Sequence, residues 1–414
     1  MNYNKKMEEM KGVKVFAGVD VGKEKHFMSL IGEDGLVKNT GICISNSLKG
    51  FEKMVGMLKS TGTEKEVVVG MEPTGHYWKA LGYYLKEKGY MIYLVNPYHV
   101  KLSKEMRDNS QRKTDKKDSE LIAHLVREGK FLNSRLLDGN YEELRRLTTA
   151  RERMVQEIVR CRIRLISILD EYLPEYERCF CKITAKTSLK LLNKYGIKGL
   201  REKSVALEVV KDIVLGSRHK IPKERALEIL GKLENTIGLK EGLTGAEIEL
   251  KIWLEELEGY LNKLSNIEKE IKKVLDSTEE AKYLLSIKGV GYITAAIVLG
   301  QTGSFRSFNN AKQLEKFAGL DLVERSSGKR VGGKRISKRG RKLLRHGLYR
   351  VAIVAIARCK EFKALYEYKV NILKKNKMIA VTDITVKMLR IMFAVVKNKT
   401  MYDGNLVLKA IAYS

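Results

Sequence analysis

The chain has 414 residues, 44% of them hydrophobic, which excludes a disordered chain and predicts a globular protein of two or three domains. Its net charge of +29 favours a polyanionic partner such as nucleic acid. The apolar runs are too short to cross a membrane, no apolar leader begins the chain, and the cysteines lack zinc-ligand spacing. These features predict a soluble protein of a reducing cytoplasm, with no membrane partner.

Residues 13–131 alternate between strand and helix patterns. Strands are predicted at 14–21, 26–35 and 36–45. A helix, a valine-rich strand that ends near Met71, a second helix, a further strand and a helix over 115–127 follow. This order predicts an α/β domain with a mixed sheet, and we place its boundary at residues 1–135.

Two apolar heptad seams mark a central coiled-coil domain, residues 136–280. The first seam consists of Leu144, Leu147, Arg151, Met154, Ile158, Cys161, Leu165, Ile168 and Tyr172. The second consists of Leu250, Trp253, Leu257, Tyr260, Leu264, Ile267, Ile271 and Val274. The two helices can form a hairpin, a dimerising coiled coil or both, and the alternative is a bundle core without a partner chain. We favour dimerisation. Residues 182–242 are predicted to form short helices without an assigned role.

Residues 281–414 are predicted to form a mostly α-helical, strongly basic domain. They contain 28 Lys and Arg against 7 Asp and Glu, or +21 of the total charge. A loop rich in glycine and serine is predicted at 324–335, and residues 325–350 hold eleven cations and no acid. Because aromatic residues are sparse there, we expect phosphate contacts rather than base stacking. The candidate contacts are Arg325, Lys329, Arg330, Lys334, Arg335, Lys338, Arg339, Arg341 and Lys342.

Four carboxylates in the N-terminal domain are candidate metal ligands. Asp20 and Glu72 follow apolar strand patterns, and Asp115 and Asp118 are three residues apart on a predicted helix. Singly, each is more often a structural residue than a catalytic one. Together they form an oxygen-rich set that suits Mg²⁺, with Mn²⁺ able to substitute. The neighbouring Lys113, Lys116 and Lys117 would then contact nucleic-acid phosphates.

Several segments resemble a known family. "GVDVGKEKH", "MEPTGHYW", "LVNPYHVK" and "KTDKKDSELIAHL" resemble the RuvC-like DEDD domain of transposases of the insertion sequence 110 family, and this resemblance covers the first 130 residues. "SIKGVGYITA" and "AGL…SSG…ISKRG" resemble the family's C-terminal transposase domain. The resemblance implies an RNase H/RuvC-like fold for the N-terminal domain. It also implies a DNA transposase or recombinase that uses Mg²⁺ and a serine nucleophile.

The resemblance assigns the nucleophile to Ser327, while Ser326 stays open as the alternative; composition alone favours a plain flexible loop. It further implies a noncoding bridge RNA that pairs with donor and target double-stranded DNA, and a homo-oligomer, either a dimer or a dimer of dimers. One subunit's acids would face Ser327 of another. The chain departs from the family in having Asp321 where a proline is common.

Two rival functions remain at this point. A junction-resolvase type of nuclease would use water and need no serine. A non-catalytic nucleic-acid-binding protein would need neither the serine nor the acids. A prokaryotic, nucleoid-associated location is expected for the favoured transposase.

Overall fold

The computed structural model describes residues 3–107, 115–133, 136–180, 182–202, 206–216, 221–323, 326–327, 330–331 and 335–412. The chain divides into two compact units, Met1–Asp138 and Gly139–Ser414. The three-domain division at residues 135 and 280 stays a prediction. None of the helices in the described ranges combines the length and the apolar character that a membrane span requires.

The first unit contains a mixed sheet of six strands among the described residues, in the order β3-β2-β1-β4-β5-β6. The strands are β1 Val15–Val21, β2 Lys25–Gly32, β3 Val37–Ser45, β4 Val67–Met71, β5 Met91–Leu94 and β6 Leu132–Asn133. Strands β1, β4 and β5 run parallel to one another, and β2, β3 and β6 pair antiparallel to their neighbours. The predicted α/β, RNase H/RuvC-like architecture is confirmed.

Helices cover both faces of this sheet. They are α1 Tyr3–Glu9, α2 Leu48–Lys59, α3 Trp78–Glu87, α4 Pro97–Arg107 and α5 Asp115–Arg127. Alternate strand residues face opposite sides, so Ala17 belongs to the core with α2 and α3, whereas Phe16 belongs to the core with α5. The sequence predicts α2, α3, α5 and β1 to β5, but it gives no prediction for α1, α4 or the two-residue β6.

The second unit begins with a long helical hairpin. Helix α6 spans Asn140–Tyr172, and α11 spans Leu243–Asp276. Asn140 Nδ2 lies 3.1 Å from Ser277 Oγ and Arg151 pairs with Glu268, so the two helices run antiparallel. The predicted coiled-coil seams therefore pack against each other within one chain. A dimer that uses these helices stays a prediction.

Four shorter helices lie between α6 and α11, as the sequence predicts for this segment. They are α7 Tyr176–Cys179, α8 Lys186–Arg201, α9 Ala206–Gly216 and α10 Lys223–Glu234. They share a core with the joined ends of the hairpin, in which Leu169 and Leu254 pack with Leu191, Ile213 and Leu230. We call these four helices the cap.

The rest of the unit is mostly helical, as predicted. Its helices are α12 Ala281–Leu285, α13 Tyr292–Thr302, α14 Ala311–Ala318, α15 Lys342–Arg358, α16 Lys360–Glu367, α17 Lys377–Asn398 and α18 Asn405–Ala412. A 3₁₀ turn at Phe305–Ser307 and a π-helical turn at Tyr368–Ile372 connect some of them. The core of this region also contains Leu144 of α6 and Ile271 of α11, so the open end of the hairpin is built into it.

Candidate active site

Two glycines bring helix α5 close to the sheet. Gly18 of β1 pairs with Gly70 of β4 in the parallel register. A Cβ atom at Gly18 would lie 2.1 Å from the carbonyl oxygen of Ser119, and one at Gly70 would lie 2.2 Å from Cγ2 of Val126. Any larger residue would push α5 away, so the absence of side chains at these two positions sets the spacing between helix and sheet.

The same two strands place Asp20 and Glu72 side by side. Side chains alternate between the faces of a strand, so Asp20, two residues after Gly18, projects towards the α5 face. Glu72 stands in the same relation to Gly70, and its backbone N–H donates to the carbonyl oxygen of Val19 at 3.4 Å, which continues the pairing beyond β4. The two carboxylates thus lie at the carboxyl ends of adjacent parallel strands.

Helix α5 brings its first turn to this edge of the sheet. Ser119 Oγ lies 2.7 Å from Ser29 Oγ of β2, and both side chains are buried. This hydrogen bond and the contact at Gly18 fix the residue that directly follows Asp118. Asp115 is the first residue of α5. Its side chain, together with residues 108–114, lies outside what the structure describes.

The electrostatics show that these acids interact. Burial raises the pKa of the Glu72 carboxyl above its usual range; the Lys104 ammonium opposes this shift and the Asp118 carboxylate adds to it. Lys104 Nζ lies 2.5 Å from Oδ2 of Asp118. Asp118, Glu72 and Lys104 therefore form one charged group. Asp20 also has interactions of its own.

The donor set fits a divalent cation. The predicted ligands are hard carboxylate oxygens, and their mutual repulsion is relieved by positive charge, as the ion pair with Lys104 already shows. Among the residues that the structure describes, no three acidic, histidine or cysteine side chains form a ready-made metal-binding group. The structure thus brings Asp20, Glu72 and Asp118 to one edge without closing them around a common point.

Lys104 is the residue of this group that the sequence analysis missed. It lies on α4, whose start carries a recognisable signal: Asn96 Oδ1 accepts a hydrogen bond from the backbone N–H of Tyr98 at 3.0 Å, and Pro97 is the first helical residue. The dipeptide Asn96–Pro97 therefore marks the start of α4 in the sequence. Placing Lys104 on that helix does not by itself predict its partner.

The described residues in and around the predicted serine loop form four two-residue strands. Strand β8, Ser326–Ser327, pairs antiparallel with β9, Arg330–Val331, and Ser327 is opposite Arg330. Strand β7, Leu322–Val323, pairs with β10, Arg335–Ile336. Valine and isoleucine at three of these eight positions favour strand geometry. The side chains of residues 324–334 lie outside the described part, so the predicted roles of Ser327, Arg325, Lys329, Arg330 and Lys334 stay predictions.

The basic stretch after β10 is tied to the end of α14. Backbone N–H groups of Ser337, Lys338 and Arg341 donate to the carbonyl oxygens of Asp321, Gly319 and Phe317. A Cβ at Gly340 would lie 2.4 Å from the backbone nitrogen of Gly319, so these two glycines permit the contact. The "AGL" and "ISKRG" segments are thus packed together.

Most of the described candidate phosphate contacts are exposed. Lys116 and Lys117 lie exposed on the first turn of α5, while Lys113 is outside the described residues. Of the candidate contacts in the second unit, Arg335, Lys338, Arg339, Arg341 and Lys342 are exposed. The Arg341 guanidinium lies 5.7 Å from the centre of the Phe317 ring, which orients it at the start of α15.

Comparison with known families gives matches in both units. A family model of the DEDD transposase domain of IS110, described as "Transposase", matches residues 17–174. A second model, described as "Transposase IS116/IS110/IS902 family", matches residues 281–367. The first match includes Asp20, Glu72, Asp115 and Asp118, and the second includes Ser327.

Individual relatives agree with these matches. The chain is similar to the transposase for insertion sequence element IS1111A of Coxiella burnetii, with 26% identity over 346 residues, or 83% of this chain and 78% of the relative. It is similar to the IS110 uncharacterized 43.6 kDa protein of Streptomyces coelicolor, with 23% identity over 72% of this chain and 73% of the relative. The transposase for IS1328 of Yersinia enterocolitica is 30% identical over 33% of this chain and 41% of the relative.

The family implies a DNA substrate, and a DEDD domain implies dependence on a divalent metal. Three observations lead to one conclusion: two models of one family match separate parts of the chain, relatives match most of its length, and a mixed sheet carries acids at its carboxyl edge. The chain belongs to the IS110 family of insertion-sequence transposases.

Proposed function

We propose that this transposase cuts and exchanges DNA strands with a divalent metal held by Asp20, Glu72, Asp115 and Asp118 and with Ser327 as the nucleophile. The observation that carries this proposal is the register of β1 and β4. It sets Asp20 and Glu72 next to each other on the face that α5 covers, at the end where α5 begins with Asp115 and Asp118. Three segments distant in sequence thereby converge.

Each group has a defined part in this chemistry. When bound, Mg²⁺ would stabilise negative charge on the reacting phosphate, and Mn²⁺ would substitute. The four carboxylates supply the oxygen ligands. The exposed cations Lys116 and Lys117 are on the same first turn of α5 and would hold the DNA backbone beside the acids.

Ser327 would attack a DNA phosphate. Its Oγ–phosphorus bond forms as the bond from phosphorus to the departing sugar oxygen breaks. The hydroxyl gives up its proton, and the departing oxygen takes one up. The resulting phosphoserine preserves a phosphodiester-like bond, so a second sugar hydroxyl can reverse the step and join a new strand.

We further propose that a noncoding bridge RNA selects donor and target DNA by base pairing, while the protein grips both nucleic acids through their phosphates. The +21 charge of residues 281–414 favours the binding of large polyanions such as DNA and RNA. The protein would work in the prokaryotic cytoplasm, on nucleoid DNA. As a dimer or a dimer of dimers, it would allow the acids of one subunit to act with Ser327 of another.

The test is to trap the protein on DNA. A plasmid with the element and its flanking DNA is incubated with protein, RNA transcribed from those flanks and Mn²⁺, and covalent adducts are isolated under denaturing conditions. We expect a phosphoserine peptide at Ser327 by mass spectrometry. Ser327→Ala should abolish the adduct, whereas the matched Ser326→Ala should retain it.

Each rival function predicts a different result. Cleavage without any adduct that persists in Ser327→Ala would establish a nuclease that uses water. Binding that is unchanged by Asp118→Asn, without cleavage by any form of the protein, would establish a non-catalytic binding protein. An adduct at Ser326 alone would move the nucleophile by one residue.

A further inference from the structure

We propose that the Lys104 ammonium group supplies the positive charge at the edge of the sheet where Glu72 and Asp118 lie. A divalent metal must displace this group from Asp118 in order to bind. This inference rests on the proposed metal site and adds Lys104 to it as a further residue. It makes Lys104 a positioning residue that governs metal loading.

The geometry directs Lys104 towards the acids. Val100 of α4 is 2% exposed and packs in the same core as Leu121 and Ile122 of α5. Lys104 is one helical turn further on, so it projects from the same side of α4. Its ammonium reaches Oδ2 of Asp118 at 2.5 Å, and it also acts electrostatically on Glu72.

The burial of the pair explains why a cation is needed there. The Asp118 side chain is only 17% exposed, and a carboxylate that has lost most of its water needs a compensating charge. Glu72, close enough to interact with Asp118, makes the local charge more negative. Without a metal, Lys104 supplies the compensating positive charge.

The same position sets Lys104 against a metal. A divalent cation ligated by Asp118 and Glu72 would stand close to the ammonium group, and like charges at such distances repel. A lysine side chain carries its charge on a flexible stem, and this one is 34% exposed, so it can move towards solvent when a stronger cation arrives. Lysine and metal therefore alternate at Asp118.

The test measures metal binding directly, without DNA. Free and bound Mn²⁺ are distinguished by electron paramagnetic resonance in titrations of the full-length protein. Lys104→Met, which keeps the stem and removes the charge, should bind Mn²⁺ more tightly by roughly two- to fivefold, the range of a partly exposed charge pair. Lys104→Arg should bind with nearly wild-type affinity. The matched control Lys101→Met, exposed on the same helix, should not change the affinity.

A second readout guards against loss of fold. In buffer that contains a metal chelator, Lys104→Met should have a lower unfolding temperature than the wild type. The reason is that the negative charges of Asp118 and Glu72 then lack a compensating positive charge. Saturating Mn²⁺ should raise its unfolding temperature by more than it raises that of the wild type.

The outcomes separate this inference from the proposed function. If wild-type protein binds Mn²⁺ in a way that Asp118→Asn abolishes, but Lys104→Met binds no more tightly, only the role of Lys104 is overturned. If wild-type protein shows no binding that depends on Asp118, the metal site itself fails, and the inference fails with it.

Discussion

At the scale of the residue, the two acids of the sheet depend on the two glycines that precede them. Gly18 and Gly70 leave room for α5, and Asp20 and Glu72 are the next residues on the same face of each strand. Glycine at positions 18 and 70 thus decides how near Asp118 comes to the strand ends.

Gly18→Ala should destabilise the first unit, because the new Cβ would overlap the Ser119 carbonyl and the backbone of Ala123. We expect a loss of about 1–3 kcal/mol, typical of an over-packed core, measured by thermal or urea unfolding, together with weaker Mn²⁺ binding. Gly56→Ala on α2 is the control, since nothing lies within 4 Å of its new Cβ. Wild-type stability and metal affinity in Gly18→Ala would contradict the proposed spacing.

His26 makes the stability of the first unit depend on pH. Its ring is fully buried against Phe51, and within the described residues neither ring nitrogen has a hydrogen-bond partner. Burial lowers the pKa of His26, and the nearby Asn46 side chain acts in the opposite direction. Because the folded-state pKa lies below the unfolded value of about 6.5, the unfolded chain binds a proton more readily as the pH falls below that value.

We therefore expect the free energy of unfolding to decrease below pH 6.5, by up to about 1.4 kcal/mol per pH unit from this residue. His26→Leu should remove this part of the decrease when unfolding temperatures at pH 7.5 and 5.5 are compared. His346→Gln, an exposed histidine, serves as the control and should keep the wild-type dependence. An unchanged pH dependence in His26→Leu would show that folding does not lower the pKa of His26.

At the scale of the element, the hairpin of α6 and α11 explains the charged interruption of the first seam. Arg151 Nε and Nη2 each lie 2.8 Å from Oε1 of Glu268, and the Arg151 side chain is 13% exposed. A position that interrupts the apolar repeat thus has a matched partner on the opposing helix, which fixes the register of the pair.

Arg151→Met should lower the free energy of unfolding of the hairpin by about 0.5–1 kcal/mol through loss of this pair. In the background of Glu268→Gln the same substitution should have little effect, so the double-mutant cycle isolates the pair. Arg153→Met, at an exposed position two residues further along the same helix, is the control. Additive effects of the two changes would mean that the pair does not determine the register.

The elements also show what a sequence can predict. Alternation in β1 and the valine run of β4 predict both strands, and the order of the acids predicts the edge at which they meet. Helix α4 lacked an apolar stripe, with Val100 its one deeply buried residue among those described, so periodicity did not reveal it. The sequence also does not predict the role of Lys104, because its partner Asp118 is on another helix. The seams predicted helix pairing, but an intrachain and an interchain partner have the same heptad pattern.

At the scale of the whole molecule, the uneven charge predicts how binding responds to salt. Each phosphate contact releases condensed counterions, so the logarithm of the affinity falls with the logarithm of the salt concentration. The exposed cations after β10 are among the sources of this response in the second unit.

Arg339→Gln combined with Lys342→Gln should weaken binding to DNA of any sequence and reduce the magnitude of the salt slope by about 2, as measured by fluorescence anisotropy. Lys251→Gln combined with Lys269→Gln on α11 changes the net charge equally and is the control. Equal slopes for the two double variants would show that total charge, rather than the basic stretch, governs binding.

The position of Leu144 and Ile271 in the core of the last helices has a consequence for the synthesis of the protein. The 33 residues of α6, about 50 Å of helix, leave the ribosome well before the residues that cover its first two turns, which extend to Val396. The first unit is complete much earlier and can fold while translation continues. A premature stop between α13 and α17 would therefore release a chain with a folded sheet and a hairpin whose open end exposes its apolar residues, a substrate for chaperones and proteases.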